Sequence, residues 1–331
     1  METRDPHGLV SKVRTVIINF LIRAFVKRRL AACRTPLDVR KAFSSIPSTT
    51  PKGVAFSQSR LGGVPGEWAE SKKNGVTYGT VLYLHGGGYV AMSSRTHRSI
   101  AGDFALRGFR VFTPDYRLAP EHIFPAALDD VRAVWRALRA EIEGPIFIAG
   151  DSSGGGLAVA LQLSLRDGHE EGPIAACLFS PWADMACAGE SLERNRDRDP
   201  MQATNCIRML AKTYVGAADP SDPLISPVYG DLTGLAPFLI FVGDTEALLD
   251  DAKRLAERAR SHGVRADLRI YPNMPHAWPL LSAVLPEGRR ALDEAVAFFQ
   301  EAAPRYLSDW LRRRQSSEPV DDASRRPAAT G

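Results

Sequence analysis

Residues 145–155 read PIFIAGDSSGG: an apolar run, then Gly150-Asp151-Ser152-Ser153-Gly154, then the start of a helical pattern that lasts to Arg166. A short apolar run bounded by turn residues is the mark of a buried strand. A G-x-S-x-G held between a strand and a helix has a mechanical meaning. The serine sits on a tight, strained turn with its Oγ above the sheet, and the flanking glycines keep other side chains out of the way. The helix beginning at Ser153 aims free N–H groups and its positive end at any negative charge that develops there. The pattern alone is common, but with a strand before it and a helix after it Ser152 becomes a candidate nucleophile.

The same rhythm extends in both directions. Apolar runs at 79–84, 110–113, 145–149, 174–179, 237–242 and 266–271 read as strands. Helical patterns lie between them at 96–106, 126–140, 155–166 and 249–262, with 287–300 closing the series. Nearly continuous apolar strands suit a sheet covered on both faces, and the alternation implies a mostly parallel sheet with right-handed crossovers. The expected class is α/β. Residues 54–57 and 66–69, ahead of the series, read as antiparallel edge strands. Residues 187–228 break the rhythm, being charged at first, then Met/Leu-rich, then punctuated by Pro. They read as an insertion that joins the N-terminal segment, 1–48, in a helical cap over a core of 49–186 and 229–303. The polar stretch 304–331 reads as a largely disordered tail.

Two more regions belong with Ser152. His85-Gly86-Gly87-Gly88 follows the strand at 79–84 but lacks the spacing of a phosphate loop. Bare backbone there suits an oxyanion hole, with Gly86, Gly87 and Ser153 N–H as the expected donors. A nucleophilic serine also needs a base, and the chain order in strand-turn-helix serine enzymes is Ser, acid, His. Of seven histidines only His276 follows the last strand, in a loop before the closing helix. The acid must come from Asp244, Glu246, Asp250 or Asp251, all close behind the strand at 237–242. Asp250 and Asp251 fit the first turn of a helix, where acids are favoured by the dipole. Asp244 and Glu246 stay unseparated on this reasoning.

Bulk properties exclude several classes. The 331 residues are 44% hydrophobic and 24% charged, as in ordinary globular chains. The net charge of +4 is uneven: residues 1–40 carry nine Lys/Arg against three Asp/Glu, or +6, leaving about −2 for the rest. No basic stripe runs along the body, so nucleic acid is not an expected partner. Cys33, Cys177, Cys187 and Cys206 show neither a metal-ligand spacing nor a disulfide framework, so no metal or cofactor is expected and a cytoplasmic location fits. Thr15 to Ile22 is mostly apolar, but Arg14 and Arg23 bracket roughly eight residues where a membrane span needs about 20. On a helical wheel Lys12, Asn19, Arg23 and Lys27 form a polar stripe opposite Val10, Val13, Ile17, Phe20, Leu21 and Ala24. This amphipathic helix either packs on the body or makes peripheral contact with a membrane or lipid surface.

With HGGG at His85–Gly88, DYRLAPEHIFPAALDD at 115–130, GDSSGG at 150–155 and the acid and histidine regions, the chain resembles the bacterial hormone-sensitive lipase family of carboxylesterases, over about residues 50–302. The resemblance implies an α/β-hydrolase fold and hydrolysis of short- to medium-chain carboxylic esters through an acyl-enzyme. In that family the acid opens a D-P-L-x-D-E/D stretch about thirty residues before the histidine. Laid on Glu246-Ala247-Leu248-Leu249-Asp250-Asp251, it puts Glu246 in the acid place, with Asp250 supporting, where Asp is commoner. Asp151 and the Tyr116–Glu121 segment are similar to positions that brace the elbow and the oxyanion loop, with His85 as a further supporting residue, and Ser153 stands where Ala is frequent. A lactone hydrolase or aryl-amide deacylase would use the same residues. A ligand-binding module of this fold would lack the histidine, and haloalkane or epoxide hydrolases would carry Asp in place of Ser152. A homodimer through the terminal sheet edge is a further expectation.

Overall fold

The computed structural model describes residues 9–44, 49–73 and 78–317. Its centre is an eight-stranded sheet in the order β1-β2-β4-β3-β5-β6-β7-β8. The strands are β1 (Val54–Leu61), β2 (Val64–Ser71), β3 (Gly79–Leu84), β4 (Phe109–Pro114), β5 (Ile146–Asp151), β6 (Ala176–Phe179), β7 (Phe238–Gly243) and β8 (Ala266–Tyr271). β1 and β2 pair antiparallel, as does β2 with β4, and every later pair is parallel. β1 and β2, read from sequence as edge strands, are there and longer than expected, but only β1 lies at an edge; the other six strands, with β8 at the opposite edge, fall within two residues of the expected runs.

Continuous apolar strands form because both faces are covered. Along β3, Leu82 and Leu84 enter one core while Val81 and Tyr83 enter the other; along β5, Ile146 and Ile148 oppose Phe147 and Ala149. The first core is closed by α5 (Ala126–Glu141), α6 (Ser153–Asp167) and α9 (Leu249–Ser261), the second by α4 (Arg98–Leu106) and α10 (Pro286–Ser317). Each fully buried Leu, Ile or Phe contributes about 1.5–3 kcal/mol against exposure, so slipping a strand by one residue would exchange its two apolar faces between differently shaped cores. α10 runs on past residue 304, where a disordered tail was expected to begin, as far as Ser317; the remaining residues of that expected tail lie outside the described residues.

Two stretches lie above the carboxyl ends of the strands. The N-terminal segment forms α1 (Leu9–Ile22), a π-helical turn at Arg23–Lys27, α2 (Arg28–Ala32) and α3 (Pro36–Ser44). The insertion holds α7 (Ser191–Arg194) and α8 (Thr204–Val215), and α2 and α3 both pack on α8. The amphipathic helix does pack on the body, but with its polar stripe inward. Asn19 Nδ2 donates to Asn273 O at 2.8 Å, Arg23 to Asp197 O and Arg198 O, and Lys27 Nζ to Arg196 O and Asp199 O. Val13, Ile17, Phe20 and Leu21, from the apolar stripe, are exposed.

Candidate active site

β5 ends at Asp151 and α6 begins at Ser153, so Ser152 is the turn itself. Its backbone lies at φ 53°, ψ −123°, a conformation that side-chain-bearing residues seldom adopt and that persists only under constraint. Here Ser152 N–H donates to Phe179 O, and Ser152 O accepts from Gly155, Gly156 and Trp182 N–H. Gly154 is obligatory, because a Cβ there would lie 2.0 Å from Leu84 O of β3. The side chain of Ser152 joins the wall of a cavity of about 370 Å³, with His276 and Gly87 on the same wall.

His276 sits on the loop after β8, buried to 3% exposure, with Nδ1 2.8 Å from Glu246 Oε2. Glu246 is fully buried, and its other oxygen accepts from Ser180 Oγ at 2.8 Å and from Gly243 N–H at 2.6 Å. The geometry thus separates the carboxylates that sequence left together. Asp244 Oδ1 takes Asn273 N–H, Asp251 takes Ala183 and Asp184 N–H, and neither bonds to His276. Asp250 does not support the pair directly as expected; its oxygens take Ser191 N–H and Arg194, tying the insertion to α9. Burial would lower the His276 pKa, but the hydrogen bond and charge of Glu246 outweigh it and hold the imidazole above its ordinary value. Burial also raises the Glu246 carboxyl, with His276 and the Gly243 N–H drawing it back. The Nε2 of His276 is buried without a hydrogen-bond partner.

The glycine loop departs from expectation at one residue. Gly86 N–H is not free to meet an oxyanion, because it donates to Asp151 Oδ1 at 3.1 Å. Gly88 N–H donates to Ser153 Oγ at 3.0 Å. The N–H groups of Gly87 and Ser153 have no acceptor among the described residues. Gly87, at φ 115°, also has no room for a side chain, since a Cβ would meet Ala91 O at 2.2 Å. Beneath the loop Asp151 takes Tyr83 Oη at 2.9 Å and lies 3.1 Å from His97 Nε2. Burial works against the charge of Asp151, but His97 and these bonds hold its carboxyl below its usual range. His85 stacks on Tyr116 with centroids 4.2 Å apart, and burial, then His97, push its pKa down to about 3. Tyr116 Oη donates to His85 O, and Arg40 on α3 grips Glu121, so the 116–121 segment does brace the loop.

Sequence reasoning missed Ser180 and His97. Ser180 follows β6 at the carboxyl end of a parallel strand, where sites of open α/β sheets gather, and that position was its one signal. Ser180 Oγ also accepts Ala277 N–H, fixing the residue after His276. Met92 and Trp182 line the cavity, while Tyr89 stacks on Tyr214 at 3.6 Å. The rest of the wall is largely apolar and includes Ile22, Val26 and Leu30 of the N-terminal segment, Ile207 and Leu210 of α8, and Leu280 and Leu281 after His276. A second cavity of about 400 Å³, between β8 and α10, contains none of the expected site residues. No group of three or more His, Cys, Asp or Glu among the described residues is arranged to hold a metal ion.

A serine on a strand-helix elbow, an imidazole backed by a buried carboxylate, and two unpaired N–H groups define the geometry of a serine hydrolase of mostly parallel α/β architecture. Comparison with known proteins agrees. Residues 81–280 match the family described as the alpha/beta hydrolase fold. An acetyl-hydrolase of Streptomyces hygroscopicus is 44% identical over 228 residues, 67% of this chain and 76% of that protein. An esterase of Acinetobacter venetianus is 37% identical over 249 residues, 74% of this chain and 82% of that protein. Among solved structures, EstE5 soaked with p-nitrophenyl butyrate superposes with a TM-score of 0.83 at 36% identity, covering 90% of this chain and 100% of that one. An esterase from the bacterial hormone-sensitive lipase family gives 0.80 at 38% identity, covering 91% and 100%. The chain belongs to the α/β-hydrolase fold family, in its bacterial hormone-sensitive lipase branch.

Proposed function

We propose that the protein is a carboxylesterase that cleaves short- to medium-chain esters through an acyl-enzyme on Ser152. The observation that carries the reading is the contact of His276 with the buried Glu246 at 2.8 Å, in the same cavity wall as the strained Ser152. In this mechanism His276 Nε2 takes the Ser152 proton as Oγ attacks the ester carbonyl. Glu246 fixes the imidazole tautomer and stabilises the imidazolium. Gly87 and Ser153 N–H receive the oxyanion, Gly86 being engaged by Asp151. The alcohol leaves with the proton from His276, and water repeats the sequence on the acyl-enzyme. The N-terminal segment and the insertion form the cap, whose apolar wall takes the ester chain. The relatives named acetyl-hydrolase and esterase, and the structure soaked with a butyrate ester, support an ester of modest length as substrate.

Four unpaired cysteines support a cytoplasmic location, and the free edge of β8 supports a homodimer. Among the described residues no helix is long and apolar enough to cross a membrane. The test is hydrolysis of p-nitrophenyl acetate, butyrate, octanoate and palmitate by the wild type and by Ser152→Ala. The reading expects turnover falling with chain length, and its loss in the variant. Turnover of a lactone or an anilide above all four esters would transfer the same residues to that substrate class.

A further inference from the structure

The N-terminal segment carries more apolar surface than the body covers, since Ile18, Val26 and Leu30 already pack on the cores. Its polar residues Asn19, Arg23 and Lys27 are spent on backbone carbonyls of the body. Outward, six large apolar side chains lie between 45% and 68% exposed: Val13, Val16, Ile17, Phe20, Leu21 and Phe25. At helical spacing they form one continuous face. An apolar patch of this size in water is unfavourable, and such patches mark surfaces that meet something apolar.

Charge indicates what that is. Residues 9–34 contain seven Lys/Arg and no Asp or Glu. A second copy of the chain would bring the same positive segment against the first. Arg14, Arg23 and Lys27 hold carbonyls of the body, whereas Arg28, Arg29 and Arg34 are exposed. An anionic lipid surface satisfies both features at once, taking the apolar side chains into its acyl boundary and these arginines among its headgroups. Position gives a further reason. Ile22, Val26 and Leu30, on the inner side of the same stretch, line the cavity that holds Ser152. Lys27 also grips Asp199 O, while Asp199 Oδ2 accepts Ala247 N–H beside Glu246, so the helix is fixed to the acid loop.

We propose that the Val13–Phe25 face docks on an anionic lipid surface and sets the mouth of the ester cavity at that surface, so that the protein draws esters dissolved in it. The choice of substrate source rests on the esterase reading; the docking does not. The test is sedimentation of the full chain with vesicles of phosphatidylcholine, alone or mixed equally with phosphatidylglycerol. The double variant Ile17→Asp/Phe20→Asp replaces two exposed side chains outside the cavity wall and should keep the thermal midpoint.

The expected result is sedimentation of the wild type with the mixed vesicles, weakened at least about tenfold by high salt and with neutral vesicles. The double variant should lose at least about tenfold in binding while hydrolysing soluble p-nitrophenyl acetate at the wild-type rate. The proposal is overturned by a wild type that stays in solution with mixed vesicles, by equal binding to neutral ones, or by a variant that binds as well as the wild type. A lipid-free dimer that the variant dissolves would assign the face to a second copy and overturn it too. Vesicle binding without turnover of any soluble ester would leave the docking standing and remove the esterase reading instead.

Discussion

Glu246→Gln keeps the volume of the acid and removes its charge, so it isolates what the carboxylate does for His276. Glu246 Oε1 accepts from Ser180 Oγ and Gly243 N–H, and Oε2 lies 2.8 Å from His276 Nδ1. The amide oxygen of Gln must stay with the two donors, which leaves its NH2 facing Nδ1. Two donors cannot share that contact, so the imidazole shifts its proton to Nε2, where it can no longer take one from Ser152. The developing imidazolium loses its counter-charge as well. Together these should lower kcat about 10³- to 10⁴-fold, equivalent to about 4–5.5 kcal/mol of barrier. KM should change little, because Glu246 is fully buried and does not line the cavity.

The pH profile provides an internal check. His276 must be neutral to act as base, so activity is lost as pH falls through its pKa, which Glu246 holds above the ordinary 6.5. In the variant that charge is gone while burial still opposes protonation, and the acid limb should move to lower pH. The assay is kcat and KM for p-nitrophenyl butyrate across pH 5 to 9. A kcat within about tenfold of the wild type with an unmoved acid limb would refute the assignment of Glu246 and return Asp244 to consideration.

Other substitutions follow from the same geometry. Ser180→Ala removes a bond to Glu246 and one from Ala277 N–H; each buried loss costs about 1–3 kcal/mol, so both the thermal midpoint and kcat should fall, the latter about tenfold or more. Gly87→Ala should lower kcat at least about 10²-fold with a lower thermal midpoint, because the Cβ meets Ala91 O and moves an oxyanion donor. Ser153→Ala keeps the Ser153 N–H and frees Gly88 N–H, so kcat should stay within about fivefold; a loss beyond that would show that the hydroxyl takes part. Ile207→Trp narrows the cavity wall and should cut octanoate hydrolysis more than acetate hydrolysis, read as the ratio of kcat/KM.

The fold was legible because both-face burial writes itself as continuous apolar strands, and the helices between them keep their own period. Ser152 and His276 were legible because position along the chain singles them out. Glu246 was not separable from Asp244 by its surroundings alone, since both lie in the turn after β7; what separates them is which side chain folds back on Gly243 N–H. Gly86 was misassigned because a run of three glycines does not reveal that the first N–H turns toward Asp151. The N-terminal helix shows a similar limit. Its periodicity gives two faces without saying which meets the body, and backbone carbonyls at 196–199, supplied by the distant insertion, draw the polar face inward.

Labelling with a fluorophosphonate, followed by peptide mapping, on the wild type, Ser152→Ala and His276→Ala tests Ser152 as the nucleophile. One equivalent of label is expected on Ser152 in the wild type, none in Ser152→Ala, and labelling at least about 10²-fold slower in His276→Ala. An unlabelled wild type, or label on another serine, would contradict that role.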